Sequence, residues 1–348
     1  MRAKQVPYIS GGDQFERVNK YSVLGDIGVF QEGRVRLPMS WLSGSIPDDC
    51  RDCPAEMELI IIPRTVDIGR FEVHRALPSN EKQMVGPFIF WDQMGPGQFD
   101  SGHGVDVRPH PHIGLATVTY LFDGNLDHKD SLGTEVRIVP GDVNLMTAGK
   151  GIVHSERTGQ DVRQHPSSLF GIQSWLAQPK ALEESSPAFI HFQAKQFPTF
   201  ETKLLSGKLI LGEFEGYTSP IELQWETLYL EIKMKKGAKF EISRTSEERA
   251  LYLVRGKIEI DAKIYNNQQM LVLRPGHDIV IEASEDLHFL LLGGAAMDGP
   301  RYIWWNFVSS SVERIKSAAE DWKNNKFRVV PGDETEFIPL PNLPFPTR

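Results

Sequence analysis

The residues best placed to do chemistry are two spaced pairs. His110 and His112 are separated by one residue, and so are His154 and Glu156. On a β-strand, residues i and i+2 point to the same face, so each pair projects two candidate ligands to one side. If the two strands are neighbours, all four side chains converge on one point. Three imidazoles and a carboxylate suit a divalent transition metal and leave octahedral positions open for water, substrate or dioxygen. Such a set accepts Fe, Mn, Co, Ni, Cu or Zn. Pro109 and Pro111 flank His110 and stiffen an extended backbone, so the first pair is partly preorganised. Gly149 and Gly151 permit a tight turn that delivers the second pair. Met146, Phe170, Ile172, Gln173 and Trp175 are expected to line an apolar pocket beside the metal, about half of them being left to the core because alternate strand residues must face it.

The elements that must hold these groups are strands. From about Leu59 onward, short β-branched or aromatic runs follow one another, punctuated by Gly, Pro, Asp and Asn. One helix is expected over residues 311–326, where Ile315, Ala318, Ala319 and Trp322 form an apolar stripe. An internal repeat accompanies the strands: Tyr120-Leu121-x-x-Gly124 precedes Pro140-Gly141, and Tyr252-Leu253-x-x-Gly256 precedes Pro275-Gly276. Many short strands, one late helix and a duplication predict an all-β chain of two antiparallel β-barrels. The expected division is an extension at 1–57, a metal-binding barrel at 58–180, a second barrel at 188–327 and a tail at 328–348 that wraps the surface. The break falls at 178–187, where apolar patterning lapses.

Composition narrows the function. Among 348 residues, 38 basic against 46 acidic side chains leave a net charge of −8, which argues against a basic nucleic-acid surface. The N-terminal residues lack the apolar core of a signal peptide, and no apolar run approaches the roughly 18 residues of a membrane helix. A cytoplasmic protein without membrane or direct nucleic-acid contact is expected. Cys50 and Cys53, the only two cysteines, cannot staple a secreted scaffold. They are read as ordinary loop thiols, with a reversible redox pair or a metal half-site completed across a dimer as alternatives. Lys233 to Lys239 reads as a solvated hairpin. His103, His128 and His165 lie in Gly-, Asp- or Pro-rich surroundings and are read as solvated loop residues outside the site, and His74 as a strand residue.

The ordered run Pro109-His110-Pro111-His112-Ile113-Gly114, Asp130-Ser131-Leu132-Gly133, Pro140-Gly141-Asp142-Val143 and Met146-Thr147-Ala148-Gly149-Lys150-Gly151-Ile152-Val153-His154-Ser155-Glu156 resembles the pirin family of the cupin superfamily. Phe170 to Trp175 after it and Gly86 to Pro96 before it fit the same pattern, and the likeness covers residues 60–327. It implies a bicupin of double-stranded β-helix type, whose N-terminal barrel holds mononuclear iron, Fe(2+), at positions matching His110, His112, His154 and Glu156. Some pirins act as quercetin 2,3-dioxygenases, and others are redox-responsive regulators that bind transcription factors or metabolic enzymes. The sequence departs from the family where Ile113-Gly114-Leu115-Ala116 replaces the usual Arg-Gly-Phe-Glu. That removes two charges expected near the site while sparing the ligands. Counting back from the repeated motifs aligns His110 and His112 with Ile242 and Arg244, so no metal is expected in the second barrel.

The leading expectation is a non-haem iron dioxygenase that cleaves flavonol-like aromatic substrates with O2. Glu156 would serve as a ligand or as the base that takes the substrate's hydroxyl proton. The alternative is a non-catalytic iron-dependent sensor that binds a regulatory protein partner.

Overall fold

The computed structural model describes residues 55–67 and 71–346. Cys50 and Cys53 lie outside the described residues. The first half of the chain forms β1 (Met57–Ile61), β2 (Arg64–Asp67), β3 (Glu72–Leu77), β4 (Phe88–Phe99), β5 (Asp106–His112) and β6 (Leu115–Gly124). It continues through β7 (Leu126–Asp130), β8 (Glu135–Ile138), β9 (Val143–Thr147), β10 (Ile152–Arg157), β11 (Ser167–Ala177) and β12 (Ala188–Phe192). The second half forms β13 (Thr199–Glu201), β14 (Leu205–Leu211), a small pair β15 (Glu213–Phe214) and β16 (Tyr217–Thr218), then β17 (Thr227–Met234) and β18 (Lys239–Ile242). After these come β19 (Glu248–Arg255), β20 (Ile258–Ile260), β21 (Lys263–Tyr265), β22 (Met270–Leu273), β23 (Ile279–Ala283) and β24 (Leu287–Gly294). A last pair, β25 (Tyr302–Trp304) and β26 (Phe307–Ser309), leads into helix α1 (Val312–Lys323).

The strands fall into two modules of one plan. The first has a seven-stranded sheet in the order β12-β9-β6-β11-β4-β3-β2 and a four-stranded sheet β5-β10-β7-β8. The second repeats it as β1-β22-β19-β24-β17-β14-β13 with β18-β23-β20-β21. The repeated Tyr-Leu motifs occupy β6 and β19, which hold the same place in their sheets. Gly124, which ends β6, and Gly256, which follows β19, take φ of +80° and +89°, a region that favours glycine, so the punctuation recurs for a steric reason.

Two strands cross between the modules close to the expected boundaries at 58 and 188. β1 pairs with β22 of the second module, and β12 pairs with β9 of the first. Met57, Leu59 and Ile61 are buried there, and such side chains contribute roughly 1.5–3 kcal/mol each when fully buried. Sequence order suggested otherwise because an edge strand carries no mark of which sheet it will join. The chain also leaves the second module after β24. Buried Arg301 donates to the Gln178 carbonyl at 2.8 Å and pairs with Glu183 at 2.9 Å, and Ile113 bridges to Phe307. Residues 301–327 thus follow the second module in sequence but include segments that pack on the first.

The two large sheets face each other across an apolar core. Trp91 and Ile172 of the first module meet Tyr229, Tyr252 and Leu290 of the second. Trp91 lies 5.4 Å from Tyr229 and 5.6 Å from Tyr252, ring centre to ring centre. At the edge of this core the Tyr120 hydroxyl donates to Glu231 at 2.7 Å, and His288 and Lys233 approach the same carboxylate at 2.8 and 3.0 Å. Burial works to raise the Glu231 pKa, but these partners hold it down at about 2.

The helix forms because Ser311 caps it, accepting from the Arg314 N–H at 3.3 Å. Its face of Val312, Ile315, Ala318 and Ala319 is buried, the last three beside Ile113 and Phe307. The tail then runs back along β5: the Ile338 N–H donates to the Pro109 carbonyl at 2.8 Å, Asp333 takes both ends of the Arg157 guanidinium at 2.8 Å, and Phe345 stacks on Trp304. Among the described residues no helix is long and apolar enough to cross a membrane.

Candidate metal centre

β5 lies at the edge of its sheet, which is where prolines belong, because Pro109 and Pro111 have no N–H to give a second neighbour. Its one neighbour, β10, sets His154 opposite His110 and Ile152 opposite His112. The register slips between His154 and Glu156, so Glu156 falls opposite Val107. The expected turn before β10 is present: Gly149 has φ +49° and its carbonyl accepts from Gly114 N–H at 2.9 Å, tying the turn to the end of β5.

The three imidazoles meet. One ring nitrogen of each of His110, His112 and His154 lies within 4.8 Å of the others, and the ε nitrogens of His112 and His154 are 3.1 Å apart. The Nδ1 of His110 is 2.8 Å from the Arg108 carbonyl, and that of His112 is 3.1 Å from the Asn306 carbonyl. A carbonyl only accepts, so each Nδ1 carries the proton and each Nε2 presents a lone pair. Lone pairs facing one another at 3.1 Å repel unless a cation lies between them. Ligands about 2.0–2.1 Å from a metal and at right angles to one another would be roughly 3 Å apart, so the donor set fits a transition ion.

Electrostatics favour the neutral, ligating form. All three rings are buried, with no more than 6% exposed. Burial drives the His110 pKa down to about 4, with nearby His128 adding to the fall and the Arg108 carbonyl resisting it. His112 and His154 are pushed well below the usual histidine range, again by burial first and by neighbouring imidazoles second. Glu156 moves upward through burial, opposed by His128 and by hydrogen bonds from Gln173 and Thr119. Gln173 Nε2 donates to both carboxylate oxygens of Glu156, at 3.2 and 3.4 Å, while its own Oε1 accepts from Thr119 at 2.7 Å.

The candidate pocket residues divide by strand parity. Gln173 and Trp175 face the centre, and the Trp175 ring stands edge-on to His112 at 5.1 Å and stacks on Phe90 at 4.0 Å. Met146 joins the same apolar cluster as Trp175. Phe170 and Ile172 do not line the site, because their side of β11 faces the core between the modules. The two positions where a charge is lost also land away from it: Ile113 is buried under Phe307 and α1, and Ala116 is buried in the inter-module core, so neither position offers a surface.

His128 corrects another expectation. It is 3% exposed, lies on β7 opposite Glu156, and groups with His154 and Glu156 as a second set of possible ligand atoms within 4.8 Å of one another. The spacing His128-x-Asp130 repeats that of the other two pairs, a signal masked by the Gly and Asp around it, which suggest a loop. His103 and His165 are exposed, and His74 lies half-buried on β3. Asn306 could not be found from sequence, since it sits 194 residues from His112.

Two modules of one strand plan, one of them centred on imidazoles and a carboxylate, define a bicupin with one candidate metal centre among the described residues. Residues 70–176 match the pirin family and residues 229–328 match the pirin C-terminal cupin domain. A pirin-like protein of Caulobacter vibrioides is 42% identical over 288 residues, covering 82% of this chain and 99% of its own. Pirin of Rattus norvegicus is 28% identical over 262 residues, 73% of this chain and 87% of the relative. A crystal structure of quercetin 2,3-dioxygenase from Acinetobacter baumannii superposes with a TM-score of 0.77 at 32% identity, covering 83% of this chain and 97% of that one. The chain belongs to the pirin family.

Proposed function

We propose that the protein is a mononuclear iron dioxygenase that cleaves flavonol-like aromatic substrates with O2. The observation that carries this reading is the convergence of three neutral imidazoles, one of which, His154, also groups with His128 and Glu156, a carboxylate whose pKa burial has raised. His110, His112, His154 and Glu156 would hold the iron, which supplies a Lewis-acidic, redox-active centre when bound. The Arg108 and Asn306 carbonyls keep two of the donor nitrogens unprotonated and fix their rings. Glu156 is the group suited to take the proton of a substrate hydroxyl, because its buried setting makes the neutral carboxyl accessible. Gln173 orients that carboxylate, and Trp175 and Met146 offer an apolar wall to an aromatic ring. The likeness to the Acinetobacter baumannii quercetin 2,3-dioxygenase supports the choice of substrate class.

The test is aerobic assay of iron-loaded protein with quercetin, following substrate absorbance and oxygen uptake together. Coupled loss of both is expected, and Glu156→Gln protein that still holds iron should be slower by about 10²-fold or more. Full iron occupancy with no quercetin loss would overturn the reading and leave the regulatory alternative in its place.

A further inference from the structure

Behind the ligand set lies a line of buried polar groups that starts at a carboxylate. β7 pairs with β10 so that Asp130 stands opposite His154 and His128 opposite Glu156. Asp130 is fully buried, and its Oδ1 accepts from the backbone N–H groups of Leu132 at 2.8 Å and Thr134 at 3.1 Å. Its Oδ2 lies 3.1 Å from Nε2 of His128. An ionised carboxylate cannot donate, so His128 Nε2 carries a proton, and in the neutral ring Nδ1 is then an acceptor. That Nδ1 faces Nδ1 of His154 at 3.4 Å. His154 must therefore protonate Nδ1 and leave Nε2 bare, and Nε2 is the atom that meets His112. The ring of His128 is itself held, stacked at 4.4 Å on Phe189 of the crossing strand β12.

We propose that Asp130 and His128 form a positioning relay that sets the tautomer and orientation of His154 for metal binding. His128 does for His154 what the Arg108 and Asn306 carbonyls do for His110 and His112. The difference is that here a buried charge stands at the far end, and that charge makes the His154 ring a stronger donor to a cation. The inference rests on the proposed metal centre but not on any particular substrate.

The experiment measures Zn2+ affinity of the full-length chain by competition with a chromophoric chelator, and the visible spectrum of the Co2+ form. His128→Phe keeps the ring that packs on Phe189 but offers no acceptor, and its affinity should fall 10–100-fold with a changed Co2+ spectrum. His128→Asn places a carbonyl oxygen near the lost Nδ1, restoring the acceptor but not the link to Asp130, so its affinity should fall clearly less than that of His128→Phe. Asp130→Asn is nearly isosteric yet should also fall 10–100-fold. The two backbone N–H groups claim its oxygen, so its NH₂ faces His128 and reverses the chain of donors. If His128→Phe does not fold, Asp130→Asn decides alone. Undiminished affinity in Asp130→Asn would overturn the relay, and equal weakening of His128→Asn and His128→Phe would overturn it in favour of His128 as a ligand. His110→Ala is the reference: unsubstituted protein binding Zn2+ no better than His110→Ala would bring down the metal centre itself, and the relay with it.

Discussion

The two modules share a strand plan and differ in what fills it. Where β5 and β10 set His110 opposite His154, the equivalent pair β18 and β23 sets Phe240 opposite Ile281 and Ile242 opposite Ile279, all buried. Arg244, aligned with His112, lies at the surface beside Asp278. A hydrocarbon interior gains free energy with every group removed from water, whereas an imidazole interior loses solvation and survives only if each nitrogen finds a partner. The first module meets that condition with the Arg108 and Asn306 carbonyls and with His128. One scaffold thus supports two interiors, a stabilising one and a reactive one.

The sharpest way to break the comparison is to truncate matching positions. His154→Ala should abolish stoichiometric metal binding, weakening it by more than about 100-fold in chelator competition, because it removes a ligand and the end of the hydrogen-bonded line. Ile242→Ala should leave metal content intact and cost about 2–5 kcal/mol in urea unfolding, a cavity effect. A reversal of these outcomes would mean that the chemistry does not lie in the first module.

Acid should separate the modules next. In the metal-free protein His110 titrates at about 4 instead of 6.5, so between these values the unfolded chain binds a proton that the folded chain refuses. Stability should fall as pH drops through that window, by roughly 3 kcal/mol from this residue alone. His112 and His154 act in the same direction, and Glu156, shifted upward, acts in the opposite one. Urea midpoints of metal-free protein from pH 7 to 4 measure the sum. Replacing the three histidines by leucine should flatten the profile if the first module causes it.

The smallest effect concerns the seam between the modules. Tyr120→Phe removes the hydroxyl that donates to Glu231, and a loss of about 1–3 kcal/mol in stability with unchanged metal content is expected. A change in metal affinity instead would show that the seam and the metal centre are coupled.

The strand character, the duplication and two of the three pairs spaced by one residue, His110/His112 and His154/Glu156, are legible in the sequence because each follows from local rules. Period two puts His110 and His112 on one face, prolines keep β5 at an edge, and glycine ends β6 and follows β19 where φ must be positive. Parity also divides Phe170 and Ile172, which face the core between the modules, from Gln173 and Trp175, which face the centre. His128 obeys the same rule, but the Gly and Asp around it carry a loop signature that hides the strand β7.

By itself the sequence determined an all-β bicupin of the pirin family with a His-rich centre in its first half and an apolar second half, since side-chain type and periodicity are properties of short stretches. Only the tertiary structure decided that β1 and β12 exchange sheets, that Asn306 orients His112 from the far end of the chain, and that Asp130 reaches His154 through His128. These contacts depend on which backbone donors and acceptors are left unpaired once the sheets have formed. That is settled by the whole packed chain, not by any one segment of it.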